Sequence, residues 1–237
     1  MLFRSFELSV SRPRVLLKTD ATTGQRLEPI EEVVVDVDEQ YAGVVVEKLS
    51  SRKGEMVELK PTGGGKQRIV FHAPSRALIG YHGEFLTDTR GTGVLNRLFH
   101  GYAPYKGTIP GRRTGVMISR EQGKTVPYAL WYLEERGPLF VSPGESTYPG
   151  MIVGEHSRGE DLDVNPLKSK QLTNFRTVMK DDKQDLPPPR KMTLEQALAY
   201  IQDDELVEVT PKAIRLRKRY LDVNDRKRHA KKLAAAG

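Results

Sequence analysis

A repeat restricts the fold more than any other feature of this chain. Shifting back by 37 residues lays Val70 on Val33, Phe71 on Val34, Gly80 on Gly43, Leu86 on Leu49, Gly91 on Gly54 and Val94 on Val57. Matches at one fixed offset, spread over a strand, a helix and the next strand, point to two copies of a β-α-β unit. Glu31–Val37 is β-branched and strand-like. Ala42, Val45, Val46 and Leu49 then recur at helical spacing, and Gly54 stops that helix. Met56–Leu59 and Arg68–Phe71 flank Pro61–Gly65 as a hairpin. A second helix over 76–90 follows, with Ser75 as N-cap, Leu78, Ile79, Phe85 and Leu86 on one arc, and Gly91 as stop. A strand from Val94 to Gly101 completes the order β-α-β-β-α-β, the ferredoxin-like sandwich of an α+β fold. Gly80 and Gly83 fall inside the second helix, where either simple tolerance or close approach by another backbone or by RNA explains them.

Tyr102–Arg112, with Pro104, Gly107, Pro110 and Gly111, is a linker. Beyond it Thr114–Ser119 and Thr125–Leu133 read as a hairpin around Glu121–Lys124, the second strand carrying bulky groups on both faces. Pro138–Ser142 and Met151–Glu155 add strands, so residues 113–237 read as a second, mostly β domain. Residues 165–189 lose all periodicity and end in three prolines, a loop long enough to be functional or disordered. Thr193-Leu-Glu-Gln196 is a capping box before the one short helix of this domain. Leu206–Val209 is a strand, Ala213–Arg217 a strand with one cationic face, and the remainder a polar basic tail. Phe6–Leu17 is strand-like but has no local partner.

The charge is local. Lys212–Lys232 holds ten Lys/Arg against two Asp, or +8, so the rest of the chain sums to −1 out of a net +7. Clustered cations near a C-terminus serve nucleic acid or an anionic membrane, or form a solvated charged surface. The tail lacks an apolar face, having only Leu221, Val223 and Leu233, so the hydrophobic half of a membrane-surface mechanism is missing. No apolar run approaches the ~20 residues that span a bilayer. The absence of cysteine excludes disulfides and cysteine–zinc sites.

Familiar catalytic patterns fail on inspection. Gly63-Gly-Gly-Lys66 is followed by Gln67 and a strand, not by Ser/Thr and a helix, so it is a hairpin turn and not a phosphate loop. Gly144-Glu-Ser146-Thr-Tyr148 lacks the last glycine of a nucleophile elbow. The five histidines show no i,i+4 metal spacing, and His82 lies within the apolar arc of its helix as a packed or hydrogen-bonded histidine rather than a catalyst. The acidic run Asp203-Asp204-Glu205 follows a helix, where either a turn or a cation accounts for it.

Several long segments carry a resemblance: RALIGYHGEFLTDTRGTGVLNRLFHGY, GVMISREQGKTVPYALWYLEERGPLFVSPGESTYPGMIVGEHSR, NPLKSKQLTNFR and KMTLEQALAYIQDDELVEVTPKAIRLRKRYLDVNDRKR. From about residue 6 to 230 the chain resembles the TypA/BipA family of ribosome-binding translational GTPases. The resemblance implies that residues 1–24 end a preceding domain and that 25–105 form a domain like the fifth of elongation factor G. After a linker at 106–112, residues 113–237 would be the family's own C-terminal domain, with a mobile basic loop at 165–189. GTP and Mg²⁺ belong to a GTPase domain that this chain lacks, so the chain itself is expected to be no enzyme and to hold no cofactor. The partners implied are the ribosome, large-subunit rRNA and the tRNA acceptor end at the A site. The resemblance further implies a cytoplasmic monomer with roles in large-subunit assembly and in stress or cold adaptation.

On that basis Lys168, Lys170, Arg176 and Lys183 of the loop are expected phosphate contacts. Asn174 and Phe175 would meet a base edge or stack on an unpaired base. Arg215, Arg217, Lys218 and Arg219 extend the cationic surface. The alternative reading is an RNA-binding or membrane-surface module without ribosome specificity.

Overall fold

The computed structural model describes residues 7–109, 111–169 and 186–236. It falls into two compact units, Pro13–Gly111, and the stretch ending at Arg12 joined with the chain from Arg112 onward. In chain order the elements are β1 (Leu8–Ser11), β2 (Lys18–Thr19), β3 (Arg26–Asp38), α1 (Glu39–Ser51), β4 (Glu55–Gly63) and β5 (Lys66–Pro74). A 3-10 turn at Ser75–Leu78 leads to α2 (Tyr81–Asp88), β6 (Val94–Pro104), β7 (Gly115–Ser119), β8 (Gly123–Lys124) and α3 (Pro127–Glu134). Then come β9 (Ser146–Thr147), β10 (Met151–His156), β11 (Leu162–Val164), α4 (Leu194–Tyr200), β12 (Glu205–Val209), β13 (Ile214–Lys218) and α5 (Val223–Ala236).

The unit Pro13–Gly111 is the ferredoxin-like sandwich. Its antiparallel strands lie in the order β4-β5-β3-β6, and β2 adds a short pairing to the start of β3. Alternate residues Val33, Val35 and Val37 of β3 and Ile69, Phe71 and Ala73 of β5 meet Val45, Leu49, Tyr81 and Phe85 of the two helices in one core. Each large side chain buried this way contributes about 1.5–3 kcal/mol.

The repeat persists down to single hydrogen bonds. Gly54 N–H donates to Leu49 O at 2.9 Å, and 37 residues later Gly91 N–H donates to Leu86 O at 2.7 Å. Lys53 N–H donates to Ser50 O, and Arg90 N–H to Thr87 O. Lys53 and Arg90 are the described non-glycine residues with positive φ, 67° and 51°. Both helices therefore end in the same Schellman cap, with a cation in the left-handed position ahead of the glycine.

The second helix is shorter than its sequence suggests. Gly80 has φ +77° and sits before α2, not within it, breaking the 3-10 turn from the helix. That break resets the helical phase: Tyr81 and Phe85, four apart, take the buried positions, and His82 and Leu86 face solvent. His82 is thus not a packed histidine.

The second unit is built on a sheet ordered β1-β12-β13-β10-β7-β11, antiparallel except for β7 with β11. Leu8–Ser11 finds its partner in Leu206–Val209, which no local reading can see. The sheet is covered on both sides, so every residue of β7 is buried. Met117, Met151 and Val153 pack with Leu130 and Leu133 of α3. Val116, Ile118, Ile152, Val207 and Leu216 pack with Ala197 of α4 and the following Ile201.

The mostly β character holds, with more helix than the single one expected. Residues 127–134 form a helix, not a strand. Pro127 occupies its first turn, where a missing N–H costs nothing, whereas a proline inside a doubly covered strand breaks the ladder. Ala129, Leu130 and Leu133 face the core, and Tyr128 and Tyr132 stack edge-on at 4.9 Å on the other side. The capping box before α4 forms as expected: Gln196 N–H donates to Thr193 Oγ1 at 3.3 Å, and Thr193 N–H to Gln196 Oε1 at 3.0 Å. The basic tail is the helix α5.

Candidate RNA interface

The β12–β13 hairpin sorts its cations by the two-residue period of a strand. Arg215 and Arg217 share the outer, half-buried face. Lys218 falls in step with Leu216 and points inward, where it is only 2% exposed. Its ammonium lies 2.6 Å from Asp161, 2.7 Å from Asp204 and 3.0 Å from Glu205. Three carboxylates absorb its three donors, so Lys218 has nothing to offer a phosphate. Asp204 and Glu205 of the acidic run after α4 are explained by this cation, while Asp203 and Asp204 form the turn into β12.

Glu205 is fully buried and also receives both terminal nitrogens of Arg112, at 3.1 and 2.9 Å, and the Gln202 N–H at 2.9 Å. Burial alone would raise the Glu205 carboxyl, but Arg112 and Lys218 outweigh it and hold it below its ordinary value. Burial would likewise lower the Lys218 ammonium, and Glu205, Asp161 and Asp204 raise it instead. The Arg112 guanidinium also lies over the Tyr200 ring, 4.4 Å from its centroid.

The outer arginines are much less committed. Arg215 stands opposite Glu208 in the ladder with 3.9 Å between charges, and Glu208 already accepts from the Tyr148 hydroxyl at 2.9 Å. Arg217 donates to Ser9 Oγ at 3.4 Å. The Nε of each is shielded and bonds to nothing among the described residues. Arg219 is exposed, its backbone N–H donating to Asp204 O.

Beside this face lies a recess of about 530 Å³. Phe140, Met151 and Met192 line it together with Arg190, Lys191, Lys212 and Arg215 and one acid, Glu145; Arg190 is paired with Glu155 at 3.2 Å. An apolar floor with a cationic rim suits a flat base and its phosphate. Arg190 and Lys191 escape notice in the sequence because they follow three prolines and belong to no periodic element.

Of the loop residues, Lys168 is exposed; Lys170, Asn174, Phe175, Arg176 and Lys183 lie outside the described residues. Both flanks of that segment are anchored. Val126 N–H donates to Pro166 O at 3.0 Å before it, and Arg190 N–H to Leu139 O at 2.8 Å after it.

Helix α5 starts where Asp222 Oδ1 accepts from the Asn224 N–H at 2.7 Å. Arg226 is paired with Asp163 and donates to Leu221 O at 2.7 Å, so it fastens the helix to the sheet. Lys227, Arg228, Lys231 and Lys232 are exposed. Among the described residues no helix is long and apolar enough to cross a membrane.

Residues 25–113 match the family of the elongation factor G C-terminus, and residues 114–223 match the TypA/BipA C-terminal domain. Among curated relatives, the large ribosomal subunit assembly factor BipA of Bacillus subtilis is 48% identical over 98% of this chain and 38% of its own length. The protein of that name from Escherichia coli K12 is 49% identical over 94% of this chain and 37% of its own. That from Haemophilus influenzae is 49% identical over 94% of the chain and 36% of its own. The chain thus spans little more than a third of the length of these relatives. With the two domain families in tandem and about half of the aligned positions identical to these relatives, residues 114–223 belong to the TypA/BipA C-terminal domain family.

Proposed function

We propose that this chain is the ribosome-binding C-terminal part of a translational GTPase that acts in assembly of the large ribosomal subunit. GTP hydrolysis, with its Mg²⁺, belongs to a GTPase domain of the longer protein, and the residues described here bind and position. The unit from Arg112 onward contacts large-subunit rRNA and, at the A site, the acceptor end of tRNA; the protein works in the cytoplasm as a monomer and serves adaptation to stress or cold. The names of the relatives support the large subunit as partner.

The observation that carries the reading is the Arg215–Arg217 face, whose guanidinium groups are weakly paired beside a cation-rimmed recess. A basic surface neutralising ~6–10 phosphates loses about 10³–10⁵ in affinity between 50 and 200 mM salt. Cosedimentation of the chain with purified large subunits across that salt range is the test. Salt-sensitive, saturable binding is expected, and no binding at low salt rejects the proposal.

A further inference from the structure

The outer face of the ferredoxin-like sheet carries a cluster that the RNA reading does not use. Glu32 on β3 and His72 on β5 stand directly opposite each other in the ladder. His100 comes from β6, at the point where the register slips between Ile30↔Gly101 and Glu31↔Phe99. It is the extra residue of a β-bulge, and bulges re-aim side chains next to sites. Here the bulge lays the His100 ring on that of His72, with centroids 4.0 Å apart and planes at 29°. His72 Nε2 lies 3.7 Å from Glu32 Oε2, too long for a hydrogen bond.

One ligand atom from each of the three residues lies within 4.8 Å of the others. Two imidazoles and a carboxylate are the donor set that transition-metal dications favour, and hard cations such as Mg²⁺ do not. Ligand bonds of about 2.0–2.2 Å need these atoms to close in, through small rotations of the half-buried Glu32 and His72 and the exposed His100. A further carboxylate, Glu55, is opposite His72 on β4 and is engaged by Lys106 at 2.8 Å. A recess of about 540 Å³ opens beside the histidines, leaving space for a fourth, exchangeable ligand.

We propose that Glu32, His72 and His100 form a binding site for a transition-metal dication of the zinc class, with a water or an outside ligand in the fourth position. Histidine spacing within one element hides this site, because its ligands come from three strands. The proposal does not depend on ribosome binding.

The test is calorimetric titration of the untagged, chelator-treated chain with Zn²⁺, supported by the visible absorption of Co²⁺ at the same site. One dication per chain is expected. His72→Ala, His100→Ala and Glu32→Gln should each weaken it by about tenfold or more, and His82→Ala should leave it unchanged. His100→Gln keeps a polar side chain at the bulge, so a loss of binding there with unaltered thermal unfolding separates ligation from folding. Absence of saturable one-site binding overturns the proposal, as does binding that the His72 and His100 variants leave intact.

Discussion

Arg112 and Glu205, 93 positions apart, meet as a two-pronged ion pair inside the second unit, with nitrogen–oxygen distances of 3.1 and 2.9 Å. Lys218 completes the cluster from β13, so the segment that opens the unit and the strand that carries its outer arginines share one buried carboxylate. Removing Glu205 leaves the Arg112 guanidinium without its carboxylate and takes one of three from Lys218, which keeps Asp161 and Asp204. Glu205→Ala is expected to destabilise the second unit by about 3–5 kcal/mol, and Lys218→Met by less, because Glu205 keeps Arg112. Urea unfolding of the two variants checks the order.

The same cluster sets a pH dependence. Glu205 is held below its ordinary value of 4.5, so its contribution is full above that value and is lost as pH falls through the lower, folded one. Lys218 is raised above 10.5, so its contribution is full below that value and fades only as pH rises past it. Urea midpoints followed from neutral to acid should fall more steeply for the wild type than for Glu205→Gln. Parallel curves would contradict this.

The duplicated Schellman caps give a stabilising change. Arg90 holds a left-handed conformation at φ 51° that costs a non-glycine residue about 1–2 kcal/mol, partly offset by the greater freedom of glycine in the unfolded chain. Arg90→Gly should therefore raise the stability of the first unit by about 0.5–1 kcal/mol. Thermal unfolding reads it directly.

If Arg215 and Arg217 each meet a phosphate, replacing both by alanine should lower the salt slope of large-subunit binding by about 2. Lys191→Ala and Lys212→Ala, on the rim of the recess, should act in the same direction. Sedimentation at several salt concentrations measures the slope.

The ferredoxin-like half was legible because its signals are local: β-branched runs, helical spacing, a hairpin turn and a fixed-offset repeat. The pattern gives way where one residue outweighs it. Gly80 shifted the phase of α2, and Pro127 turned an apparent strand into a helix. Lys218 was readable in principle, since period two places it with Leu216 and not with Arg217, but its run of neighbouring cations concealed that. The β1–β12 pairing and the His72–His100 contact join residues far apart in the chain, and single-sequence periodicity carries no information about them. The helical start of α5 was signalled by Asp222 as a cap, without an apolar face to support it.

The most direct measurement is crosslinking of the chain to whole ribosomes through photoreactive groups at Lys168, Arg219 and Lys231, with the RNA contacts mapped by reverse transcription. Crosslinks concentrated in large-subunit rRNA, and lost when salt is raised, are the predicted result. Crosslinks scattered evenly over both subunits, or none above the level of free RNA, would contradict the account.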